Sequence, residues 1–187
     1  SGNTLRFGYV GGNTEVKGFH LIRKAFTKLS DKDISLSIVD NTTNLGYSSF
    51  TESELDFFDN TILVPGYTQQ NIDDFFSNID VLLFPTQWKE SFGLTVREAL
   101  IRNVWVIVTD AGGVTEDIIE GENGFIIPLQ DKGEALYAAI NKTVAIYSER
   151  YAQGEVVLPS NTITTFEQQA VELQHIFDKI LSTKIPD

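Results

Sequence analysis

The stretch Phe84-Pro-Thr-Gln-Trp-Lys-Glu-Ser-Phe-Gly-Leu-Thr-Val-Arg-Glu98 joins an apolar run, Val81-Leu-Leu-Phe84, to a helix-like pattern that starts near Gly93. Pro85 ends the run and a polar loop follows. That order predicts a strand, a loop and a helix N-terminus at the carboxyl edge of a sheet. The N–H groups of Ser91, Phe92, Gly93 and Leu94 would be unpaired there, and the helix dipole favours an anion, so this end suits a phosphate. Gly93 lets the backbone approach closely. Two carboxylates bracket the turn, Glu90 and Glu98, with seven residues between them. Glu98 follows Leu94 by four residues, so it stands on the same helix face, about 6 Å further along the axis. A carboxylate there suits a diol next to a diphosphate, whereas Glu90 could reach hydroxyls beyond the phosphate. Taken alone, any such pair reads better as solvated surface acids.

Outward from this stretch, strands and helices alternate. Strands are predicted over 5–10, 34–39, 61–65, 79–84, 103–109 and 125–128. Helices are predicted from Gly18 to about Leu29, over 53–58, 71–77, 114–120 and 131–147, and from Gly93 onward. A last helix spans 164–181, with Phe166, Ala170, Leu173, Phe177 and Ile180 as its apolar stripe. Residues 40–50 and 151–159 read as loop. The run Asn103-Val-Trp-Val-Ile-Val-Thr109 is apolar almost throughout, as a central parallel strand requires. The alternation implies right-handed β-α-β units and a parallel sheet covered on both faces. Ligands on such sheets bind beyond the carboxyl ends of the strands. The loops Gly11 to Gly18, Pro65-Gly-Tyr67, Thr86 to Gly93 and Asp110 to Gly113 would therefore gather on one edge.

The chain has 187 residues, of which 42% are hydrophobic, enough for one well-buried domain. Its net charge of -12 argues against nucleic acid and against docking on an anionic membrane. An anionic nucleotide could still bind through local groups. There are no cysteines, hence no disulfide framework or thiolate metal site, and no metal-ligand constellation is visible. No apolar run reaches membrane-spanning length. The first strand begins directly after Ser1-Gly-Asn-Thr4, as in an excised domain.

Glu90-Ser-Phe-Gly-Leu-Thr-Val-Arg-Glu98 resembles the E-x7-E signature of the retaining glycosyltransferases of family 4, the group 1 glycosyl transferases, which have the GT-B fold. Lys17-Gly18, after Gly11-Gly12, resembles the family's first loop, where a Lys contacts the donor phosphates. Thr109-Asp-Ala-Gly-Gly-Val-Thr-Glu116 and Gly121-Glu-Asn-Gly-Phe125 resemble its G-G-x-x-E and N-G segments. The likeness runs from about Leu5 to the last helix. It implies a single donor-binding domain over 1–187, a Rossmann-like α/β parallel sheet of about six strands with helices on both faces, forming one half of a GT-B fold. The N-terminal acceptor domain is expected to be absent, and the fragment to turn over little alone.

The resemblance implies that a nucleotide-diphosphate-sugar donor is bound and its sugar transferred, with retention, to a glycan or glycolipid, in polysaccharide biosynthesis. Glu90 and Lys17 take the catalytic positions. Lys17 and the amides of Phe92, Gly93 and Leu94 would hold the diphosphate, Glu98 the ribose diol and Glu90 the sugar, with Ser91 and Thr95 also among the donor-binding residues. Gly11, Gly12, Gly112 and Gly113 line the donor pocket, and Tyr67 either stacks on the base, lines the pocket or packs under its loop. No cofactor and no metal are expected. The implied localisation is cytoplasmic, with peripheral membrane association left open for the full-length protein. Gly12 departs from the family, which usually carries an Arg there, so one phosphate cation is missing. That departure keeps a second reading open, a non-catalytic binding or regulatory module. A third reading is a flavodoxin or receiver domain, with Asp40 and Asp110 at strand ends. Trp105 reads as core, and His20 and His175 as surface. Trp88 is either an acceptor-side platform or loop packing.

Overall fold

A computed structural model describes residues 4–29, 32–160 and 163–183. Six strands, β1 (Leu5–Val10), β2 (Ile34–Asp40), β3 (Thr61–Pro65), β4 (Val81–Phe84), β5 (Trp105–Thr109) and β6 (Gly124–Ile127), form one sheet in the order β3-β2-β1-β4-β5-β6. All five pairings are parallel. The chain starts in the middle, runs to one edge, then returns and runs to the other. The reversal falls between β1 and β4, where the loops that follow them diverge and leave a crevice.

Period-two alternation sends side chains to two separate cores. Phe7, Tyr9, Leu36, Leu83, Trp105 and Ile107 face one side. There they pack under helices α1 (Phe19–Phe26) and α5 (Glu134–Ala152). Val10, Val39, Leu82, Phe84, Val106 and Val108 face the other. Over them lie α3 (Ile72–Phe76) and α4 (Leu94–Leu100). Trp105 is core, as read, with its ring edge-on to Phe125 and Tyr147. His20 and His175 are exposed, also as read. The cover is incomplete at edge strand β3, where Ile62 and Leu63 remain exposed.

Several boundaries move for identifiable reasons. β5 begins at Trp105, not Asn103, because Asn103 (φ 56) finishes α4 and the Val104 amide bonds back to Ala99 O. The predicted helix at 114–120 shrinks to a 3-10 turn, Gly113–Thr115. Beyond it, buried Asn123 accepts from the Ile119 amide and donates to Asp117 O, fixing a turn instead. α5 continues to Ala152, where left-handed Gly154 closes it. The short helix α2 (Glu52–Leu55) is set by a capping box of Thr51 and Glu54. The last helix, α6 (Phe166–Thr183), forms, but its stripe is not buried: Phe166, Leu173, Phe177 and Ile180 are all at least half exposed.

Part of the loop 40–50 is ordered by Asp40, which is fully enclosed at the end of β2. Its carboxylate accepts from the Thr42 amide and hydroxyl, the Ser48 hydroxyl, and the Ser49 amide and hydroxyl. The first of these caps a 3-10 helix over Asn41–Leu45. Burial alone would raise this carboxyl, but the hydrogen bonds from Thr42, Ser49 and Ser48 outweigh it and hold its pKa below the ordinary value. A lowered native pKa means stability that is complete above about pH 4 and lost as pH falls through the native value. We expect Asp40→Asn to lower the denaturant midpoint at pH 7 and to flatten its fall between about pH 4 and pH 2. Unfolding curves across that range check it, and an unchanged acid slope would count against this assignment.

Candidate functional site

The loops that follow β1, β4 and β5 are held together by backbone contacts. Val16 O accepts from the Gln87 amide at 2.7 Å and from the Thr86 hydroxyl at 3.2 Å. The buried Thr109 hydroxyl donates to Thr86 O at 2.6 Å. The Glu90 amide donates to Ala111 O at 2.8 Å, and Glu90 pairs with Gly112 as an isolated bridge. Two glycines make these approaches possible. A Cβ on Gly18 (φ 76) would sit 1.9 Å from Pro85 O, and one on Gly113 would sit 2.0 Å from Ser91 O.

α4 starts at Leu94 behind Gly93, which is left-handed (φ 67) and packs on Val114. The amides of Ser91, Phe92, Gly93, Leu94 and Thr95 have no hydrogen-bond partner among the described residues. The same holds for Gly12 and Gly112, whereas the Gly11 amide is taken by Val39 O and the Gly113 amide faces Glu90 O across the bridge. The free amides therefore lie on three loops tied to one another, beside the crevice between β1 and β4. Unpaired N–H groups arranged this way form a cradle for an anion.

Lys17 and Glu90 meet over this crevice, with Nζ 3.3 Å from Oε1. Glu98 lies on the far flank of the cradle, where Oε1 accepts from Gln69 Nε2 at 3.2 Å. Beside it runs a groove of about 840 Å³ lined by Gln69, Leu94, Glu98 and Arg102, among others. The Tyr67 ring is half-buried and stacks on Phe75, with centroids 5.5 Å apart. Burial, and then the Glu98 carboxylate, push its hydroxyl above the ordinary value. Trp88 is largely exposed.

Three supports were not singled out as site residues from sequence. Arg97 lies flat on Phe92, 3.8 Å from the ring centroid. It also pairs with Glu116 at 3.2 Å and Asp117 at 2.8 Å, so it ties α4 to the Gly112-Gly113 loop. Ser49 accepts from the Asn13 amide while donating to Asp40, and its Oγ would lie 3.2 Å from a Cβ at position 12. Gln69 holds Glu98. A charge inside the apolar pattern of α4 was the available signal for Arg97. No local signal marked the other two, because their partners are distant in sequence.

Residues 2–155 of the chain match the family model described as glycosyl transferases group 1. The chain belongs to that family. A glycosyltransferase of capsular polysaccharide biosynthesis, CapM from Staphylococcus aureus, is 29% identical over 133 residues, 68% of this chain and 33% of that protein. Among solved structures, sucrose-phosphate synthase from Thermosynechococcus elongatus superposes with a TM-score of 0.72 at 21% identity, over 97% of this chain and 47% of that one. Anabaena HepE in complex with UDP and glucose gives 0.66 at 17% identity, over 97% and 49%. The group 1 chain described here thus spans about a third to a half of the length of these relatives. Its Rossmann-like sheet is the one expected from sequence, and it matches glycosyltransferases of the GT-B fold. Family membership excludes the flavodoxin and receiver readings. Asp40, moreover, is enclosed and fully occupied by hydrogen bonds. No helix among the described residues is long and apolar enough to cross a membrane.

The glycine contacts give a direct check. Gly113→Ala should lower unfolding free energy by roughly 1–3 kcal/mol, because the added methyl must displace the Ser91 backbone. A thermal melt equal to that of the parent would show that the loop junction is looser than described.

Proposed function

We propose that this chain is the donor-binding domain of a retaining glycosyltransferase and holds a nucleotide-diphosphate-sugar at the crevice between β1 and β4. The observation that carries this reading is the run of unpaired amides from Ser91 to Thr95, facing a loop that presents Lys17. Those amides and Lys17 hold the diphosphate, and Gly112 and Gly113 line its far side. Glu98, already oriented by Gln69, takes the ribose diol. Glu90 takes hydroxyls of the sugar. Transfer breaks the bond between the anomeric carbon and the diphosphate oxygen, which leaves with the electron pair. Lys17 and the fixed amide dipoles stabilise the charge that develops there, without reorganising. The two carboxylates bind rather than attack, so the glycosidase scheme does not apply.

The acceptor, a glycan or glycolipid, is held by a separate N-terminal domain in the parent enzyme, and the domain alone turns over little. Polysaccharide assembly is the setting that the capsular relative suggests. No metal takes part, because Lys17 and the amides supply the positive potential. Gly12 supports a second reading: without the usual Arg, the domain binds a nucleotide and regulates rather than transfers.

Calorimetric titration with UDP, GDP, ADP and dTDP tests the donor reading. One of the four should bind, equally well in the presence of a chelator. Lys17→Ala should weaken it roughly tenfold or more, the scale of a charge-assisted contact. Glu98→Ala should also weaken it and should erase any preference for ribose over 2′-deoxyribose. Failure of all four to bind at millimolar concentration would overturn the reading for this chain. Activity of the parent enzyme separates the transferase from the regulatory module.

A further inference from the structure

The Lys17–Glu90 contact joins two anchored loops. Lys17 lies between Val16, whose carbonyl accepts from Thr86 and Gln87, and Gly18, which is pressed against Pro85 O. Glu90 is fixed through its amide on Ala111 O and its bridge to Gly112. The 3.3 Å pair is therefore set by the fold rather than by two long side chains meeting in solvent. Its side chains are 42% and 27% exposed, so it remains open to a ligand. Gly12 adds no cation, and Lys17 is the one basic residue of the loop Gly11 to Gly18.

A diphosphate on the amide cradle meets both members of this pair. It competes with Glu90 for Lys17, and it is repelled by Glu90 directly. The repulsion depends on what the β-phosphate carries. In a free nucleoside diphosphate the terminal phosphate bears close to two negative charges near neutral pH, all facing outward. In a nucleotide-sugar the same phosphate bears one charge, and the group beyond it is a neutral polyol whose hydroxyls can donate to a carboxylate. One carboxylate thus disfavours the first ligand and accepts hydrogen bonds from the second. Like-charge juxtaposition is a common source of discrimination.

We propose that Glu90, held against Lys17, is a specificity determinant that favours the intact sugar donor over the free nucleoside diphosphate and so promotes release of the spent nucleotide. This rests on the donor-binding reading above and assigns Glu90 a repulsive role beyond holding the sugar. Removing the charge while keeping the shape should tighten the product and loosen the donor.

The test uses the 187-residue chain and its Glu90→Gln variant, titrated with four pairs: UDP and UDP-glucose, GDP and GDP-mannose, ADP and ADP-glucose, and dTDP and dTDP-glucose. For the pair that binds, E90Q should take the diphosphate roughly three- to tenfold more tightly, with the gain shrinking as salt rises. The sugar-bearing partner should bind no better or more weakly. Glu90→Asp, which keeps the charge but withdraws it from Lys17, should shift the same ratio less far, and it serves if E90Q proves unstable. Binding of both ligands by the parent, with an unchanged ratio in the variants or an equal loss for both, overturns this inference alone. Binding of neither by the parent overturns the donor reading, and this inference with it.

Discussion

The site depends on the absence of two side chains. Gly18 and Gly113 let the loop after β4 lie against its neighbours, backbone on backbone, from both sides. This contact fixes where the free amides of 91–95 point and how close Lys17 comes to Glu90. Side-chain contacts such as Arg97 with Asp117, or Asp40 with Ser49, reinforce an arrangement whose spacing the glycines already impose. The sheet contributes by its order: with β1 beside β4, the loops that leave in opposite directions must part there.

Electrostatics at this junction has to contend with the rest of the molecule. A chain with net charge -12 is a poor general attractor for a diphosphate, so any affinity must come from short-range, oriented groups. Unpaired amides are such groups, because their dipoles act over a few ångströms and are not cancelled by distant carboxylates. Lys17 adds a single charge that is already shared with Glu90. The crevice therefore offers directional hydrogen bonding more than net potential.

The architecture was legible because its signals are local and repeated. The strand from Trp105 to Thr109 is apolar up to its last residue since both its faces are buried, and the run from Phe84 to Glu98 carries its turn and helix start in consecutive residues. Where boundaries moved, a single residue overrode the pattern, as Asn103 did by closing α4 and Asn123 by holding a turn in place of a helix. The roles of Ser49 and Gln69 could not be read, because Asn13 and Glu98 come near them only in the folded chain, whereas Asp40 has Thr42, Ser48 and Ser49 within nine residues, inside a stretch that reads as plain loop. Tyr67 illustrates the same limit: base stacking, pocket lining and packing all fit the sequence, and its contact with the Phe75 ring comes from a residue eight positions on that no local pattern pairs with it.

The exposed stripe of α6 has a consequence for where the folding unit ends. None of the two cores' residues comes from that helix, and the family match itself stops at residue 155. The Rossmann-like body is thus closed upon itself before α6 begins. Cutting the chain ahead of Phe166 would leave both cores intact but take away one wall of the groove beside Glu98. α6 thus stands outside both cores, yet its first turn, through Phe166, Glu167 and Gln169, walls the groove beside Glu98, so its place in the molecule belongs to the site more than to the sheet.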